Sequence, residues 1–166
     1  MILFLDASSL LKLYLEESGS AMMRALFEAN RFTGRFYLSD HVALEVQVRL
    51  NRLGRVVSRR ERRALRSGFR QFATHRSNHL NILTVDHGLI AEAEALAAQY
   101  ADSGAGTLDL IHLASARRVQ RSVPGERLVF VASDRKLRHV ARRAGFRTFD
   151  PERERTEDLG VQTPVT

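Results

Sequence analysis

Four acidic side chains stand at positions from which they could share one ion. Asp6 ends the apolar run Ile2 to Leu5, and Asp134 ends a second run, Leu128 to Ala132, after one intervening serine. Asp109 falls in the first turn of a helix predicted over 108–121, and Glu45 sits in the middle of an apolar stretch, 40–53. Acids at the carboxyl ends of buried parallel strands lie where open α/β sheets bind their ligands. Carboxylates brought together repel, and a divalent cation is the simplest agent that keeps them all ionised. With no cysteine and no HExxH pair in the chain, hard oxygen donors point to Mg²⁺ or Mn²⁺ rather than zinc. Such an ion can turn a water into a nucleophile and offset charge that builds on a phosphodiester. Each acid also has a plainer explanation. Asp6 can begin a turn or cap a helix, and Asp109 can complement a helix dipole.

The elements that must position these acids can be read from periodicity. Ser8 or Ser9 can cap a short helix carrying Leu10, Leu11, Leu13 and Tyr14, and a second helix is expected over 20–30. Phe36 to Leu38 reads as a strand, with Ser39 able to cap the next element. Residues 40–53 alternate as a strand would, yet Val42, Val46, Leu50 and Leu53 also form a helical stripe. Length, the Ser39 cap and Gly54 favour a helix ending at that glycine. Glu45 then lies mid-helix among apolar neighbours, an expensive place for an unpartnered carboxylate.

Ser58 and Glu61 form a capping box for a helix reaching about His75, laden with arginine. A strand over 80–85, a helix over 88–100, the helix capped by Thr107, the strand 128–132, a helix closed by Gly145 and a last strand at 146–149 complete the pattern. His112 shares a face with Asp109; a single helical histidine is more often structural than a ligand. Alternating strands and helices over 166 residues make one α/β domain, expected over 1–150, and then a charged tail, 151–166, with too little apolar content to order itself.

Composition narrows the partners. The formal charge is +7, and only Lys12 and Lys136 of the 26 basic residues are lysine. An arginine surface suits phosphate, since the guanidinium fork binds its oxygens in pairs, although a bias in base composition would also enrich arginine. Arg59, Arg60, Arg62 and Arg63, together with Arg135 and Arg138 beside Asp134, are the candidates for contact with RNA. No apolar run approaches the ~20 residues needed to span a bilayer. Asp6 interrupts any leader-type apolar segment, and cysteine is absent, so a cytoplasmic protein without a membrane anchor is expected.

The segments F-L-D-A-S-S-L-L-K-L-Y, S-D-H-V-A-L-E-V, L-D-L-I-H-L-A-S-A and V-A-S-D-R-K-L, taken in order, resemble the four acidic motifs of PIN-domain proteins, and most closely the VapC-type ribonuclease toxins of toxin–antitoxin pairs. The resemblance runs from Ile2 to about Asp150. It implies a three-layer α/β/α sandwich on a central, mostly parallel sheet, and a Mg²⁺- or Mn²⁺-dependent endoribonuclease. Asp6, Glu45, Asp109 and Asp134 match the family's metal-binding acids, and Ser8 matches the hydroxyl just after the first of them. The resemblance also implies a cognate antitoxin and a homodimer. Two other readings compete. A PIN-like fold could serve only to bind RNA or a partner, and Asp6 could carry a phosphoryl group, although the second aspartate expected two residues later in such phosphatases is replaced by Ser8.

Overall fold

In a computed structural model, residues 1–30, 34–56 and 58–160 are described, apart from the side chains of residues 55, 56, 59 and 60. Five parallel strands, β1 (Ile2–Leu5), β2 (Phe36–Ser39), β3 (Leu80–Leu83), β4 (Leu128–Val131) and β5 (Arg147–Phe149), lie in the order β3-β2-β1-β4-β5. The chain winds outward from β1 to β3, then crosses to the other side of β1 and winds outward again. β1 is therefore central, and the switch in winding direction lies between it and β4, which pair from Ile2–Leu128 to Leu5–Val131.

The lack of polar alternation in β1 has a direct cause. Leu3 and Leu5 pack into one apolar core and Ile2 and Phe4 into another, one on each face of the sheet. The first core is closed by α1 (Ala7–Leu11), α2 (Ser20–Asn30), α3 (Asp40–Val56) and α4 (Arg59–Asn78). The second is closed by α5 (His87–Gln99), α6 (Thr107–Ser122) and α7 (Arg135–Arg143). This is the expected α/β/α sandwich. No helix among the described residues is long and apolar enough to cross a membrane.

Several boundaries differ from those expected. Asp6, not a serine, caps α1, and Gly106 rather than Thr107 occupies the cap of α6. Gly54 does not stop α3, which runs to Val56, so its stripe of Val42, Val46 and Leu50 outweighs the cost of about 1 kcal/mol for a helical glycine. The arginine-rich α4 has the capping box foreseen at Ser58 and Glu61. Its Gly68 meets the turn after α1, where an added Cβ would stand 2.7 Å from the Tyr14 carbonyl oxygen.

The segment after Asp150 is not loose as far as Gly160. It carries a 3-10 turn, Thr156–Leu159, with Thr156 and Leu159 buried, and Glu152 reaches Lys12 at 2.8 Å. One buried leucine, one buried threonine and an ion pair to a buried lysine supply what the composition of the segment concealed. Residues 161–166 lie outside the described part.

Candidate active site

The carboxyl ends of β1 and β4 deliver two of the four acids to the switch point of the sheet. Asp6 comes directly after β1 and is 6% exposed; its Oδ2 accepts from the Ser8 amide at 3.0 Å and from the Ser8 hydroxyl at 2.6 Å. The Ser8 oxygen in turn accepts from the Ser133 amide at 3.0 Å. One hydroxyl thus clasps the end of β1 to the end of β4. Asp134 is exposed and caps α7, its Oδ1 accepting from the Leu137 amide at 2.9 Å. Asp109 is half-buried and, in the first turn of α6, accepts from the Gly106 amide at 2.8 Å. The capping explanation is therefore correct for Asp6, Asp109 and Asp134, and it does not compete with the chemical one. Capping engages one carboxylate oxygen in each, and all three residues, with Glu45 of α3 and Ser8, line a single cleft of about 740 Å³.

His112 is the residue that sequence reasoning undervalued. It is 2% exposed, and its Nε2 lies 3.5 Å from Asp6 Oδ1 and 3.7 Å from Glu45 Oε2. Asp6, Glu45 and His112 offer three ligand atoms within 4.8 Å of one another. Burial alone would hold the imidazole neutral. Its contact with Glu45 and the charges of Asp6, Glu45 and Asp109 outweigh that effect and raise its pKa above the ordinary histidine value. Nδ1 is buried with no hydrogen-bond partner among the described residues. A metal-ligating imidazole almost always donates from its second nitrogen to a partner, and Mg²⁺ prefers oxygen. The carboxylates fit a hard cation. His112 fits better as the donor that holds Asp6 and Glu45 together.

The basic residues at the cleft are not those expected. Arg138 is 6% exposed, binds Asp150 at 2.7 Å and donates to the Ala132 carbonyl, so it braces β4 and cannot reach RNA. The side chains of Arg59 and Arg60 lie outside the described residues, and Arg62, Arg63 and Arg135 do not line the cleft. Arg49 and Arg52 of α3 do, one and two turns along from Glu45, and both are exposed. Their spacing from Glu45 was the available signal. The model of the PIN domain matches residues 3–143.

The chain belongs to the PIN domain family. No curated protein matches it in sequence. Among solved structures, VapC20 of Mycobacterium tuberculosis, described as a Sarcin-Ricin loop cleaving toxin, superposes with a TM-score of 0.59 at 18% identity, covering 87% of this chain and 95% of that one. FitAB bound to a DNA fragment gives 0.65 at 13% identity, covering 92% and 97%. FitAcB from Neisseria gonorrhoeae gives 0.61 at 15%, covering 92% and 100%. At these identities the likeness is one of fold. Within the PIN domain, all four sequence-predicted acids face one cleft.

Proposed function

We propose that this PIN domain is a metal-dependent endoribonuclease and the toxin of a toxin–antitoxin pair. The observation that carries the reading is the convergence of Asp6, Glu45, Asp109 and Asp134, from four separate stretches of sequence, on one cleft at the switch point of the sheet. Six carboxylates line the cleft; Lys12 pairs with two of them, Glu17 and Glu152, and the remaining four, Asp6, Glu45, Asp109 and Asp134, fit a hard cation. Asp6, Asp109 and Asp134 would hold it, directly or through water, with Glu45. Mg²⁺ or Mn²⁺ bound there would offset charge developing on a phosphodiester and make water more acidic.

The chain's own groups do the rest. Ser8 fixes the Asp6 carboxylate, leaving Oδ1 to face the cleft. Glu45 is half-buried, with an oxygen within 4.8 Å of one of Asp6, and it takes the proton of the attacking water. Arg49 and Arg52 bind the phosphates flanking the cut; water adds to the phosphorus, the bond to the 3′ oxygen breaks and that oxygen takes up a proton, giving 5′-phosphate and 3′-hydroxyl ends. Leu44, 61% exposed, with Val48 and Leu108, forms an apolar rim beside the acids that suits an antitoxin covering the cleft. The homodimer implied by the resemblance belongs to the same reading, and light scattering tests it. The decisive assay incubates structured RNA with the purified chain, with and without EDTA, beside Asp6→Asn. Cleavage that persists in EDTA or in the variant overturns the proposal, and a folded, metal-replete chain that never cuts RNA would favour a binding module.

A further inference from the structure

The end of the sheet opposite the acids carries a second groove of contrary charge. At the amino-terminal ends of β4 and β5, a cavity of about 660 Å³ is lined by Arg117, Arg121, Arg127 and Arg147 together with Phe146, and no acid among the described residues lines it. Arg121 is bound to Glu92 at 2.6 Å. The other three have no carboxylate partner among the described residues. Arg117 donates to the Tyr100 hydroxyl at 3.1 Å and lies over its ring, so a buried tyrosine fixes it in place. Among the described residues the Arg147 guanidinium donates to the Asp158 carbonyl, and Arg127 is exposed. The neighbouring acid Glu126 is already taken by the amino terminus and Arg35.

Unpaired guanidinium groups held around one concavity repel one another and are relieved by an anion with many oxygens. A groove open to solvent, with an aromatic ring half-buried among arginines, suits a chain of phosphates carrying bases better than a compact ion. We propose that this groove is a second RNA contact, one that takes the phosphodiester backbone of the RNA whose scissile bond enters the acidic cleft. The proposal rests on the nuclease reading above. From Leu128 to Asp134 the two sites are separated by about 20 Å at roughly 3.3 Å per residue, so a short fragment fills one and a long or folded RNA reaches both. The acids of the cleft oppose an approaching polyanion, and the distal groove adds its attraction to that of Arg49 and Arg52.

The test compares the Asp6→Asn chain with the same chain carrying Arg127→Gln and Arg147→Gln, both exposed positions, with melting curves to check that loss of the Arg147 bond to Asp158 has not unseated the turn at 156–159. The probe is a labelled single-stranded RNA of about 20 nucleotides, titrated over a range of salt. The double substitution should weaken binding about tenfold and make the log–log salt dependence shallower by roughly 0.7 per lost contact. With Asp6 restored, the same pair should raise KM for the long RNA while leaving kcat, and cleavage of a dinucleotide, unchanged. Unaltered affinity and slope would overturn the proposal. So would displacement of the RNA by inorganic phosphate at equal phosphate concentration, which would mean a small-anion site, or tighter arginine-dependent binding of poly-glutamate than of RNA, which would mean an acidic protein segment. RNA binding that depends on the two arginines in a wild-type chain that cuts nothing would leave the groove standing and remove the nuclease reading instead.

Discussion

Asp6 and Asp134 each cap a helix and face the cleft, and the choice of substitution separates capping from the proposed metal-binding role. Asparagine caps a helix about as well as aspartate, whereas alanine does not. Asp134→Asn should therefore abolish metal-dependent cleavage with a stability change within about 0.5 kcal/mol, and Asp134→Ala should abolish it and also cost about 1 kcal/mol. Calorimetry beside a cleavage assay reads both, and an active asparagine variant would reduce this acid to a cap. His112 gives the site its pH dependence. Its folded pKa is raised, so the stability it contributes to the metal-free protein is fully present below its unfolded value near 6.5 and is lost as pH rises through the folded value. Melting curves of EDTA-treated protein should fall across that window, and His112→Gln should flatten the fall. A cation competes with the proton held between Asp6 and Glu45, so its affinity should rise over the same window.

At the scale of elements, the helices that matter are those whose packing is tight. Gly68→Ala places a methyl 2.7 Å from a backbone oxygen that has no rotamer to change, and α4 must shift away from Tyr14. A loss of about 1–3 kcal/mol in denaturant unfolding is expected, and none would mean that α4 slides freely. Leu159→Ala should cost about 2 kcal/mol, because the turn beyond Asp150 is seated in the core cluster of α2. On α3, Arg49→Ala with Arg52→Ala should raise KM for RNA and spare kcat, whereas Glu45→Gln should lower kcat. The central strands could be read in the sequence because both their faces are apolar, and Asp6 and Asp134 could be placed because they end those strands. His112 was hidden because a helical pattern shows that a residue is buried but not what lies opposite it. The partners of Arg138 and Lys12, Asp150 and Glu152, are contacts across the chain that no local pattern announces. The turn at 156–159 was missed for the same reason, its anchor being two residues in a charged run.

For the whole molecule, two charged regions at opposite ends of one sheet give the surface a polarity that the net charge of +7 does not convey. Production of the chain alone should arrest growth, and co-production of a partner that covers the rim at Leu44 and Leu108 should relieve it. Unimpeded growth with folded, metal-replete protein would count against a toxin. The Ser8 clasp has a further consequence in time. It joins the first strand to one made some 120 residues later, and at about 5–20 residues per second the ribosome needs on the order of ten seconds to bridge that gap. Until then the strand leading to Asp6 has one unpaired edge, and Asp134 does not yet exist. The cleft of acids is therefore incomplete until the second half of the sheet has been made, and on the nuclease reading a nascent chain could not cut RNA before then.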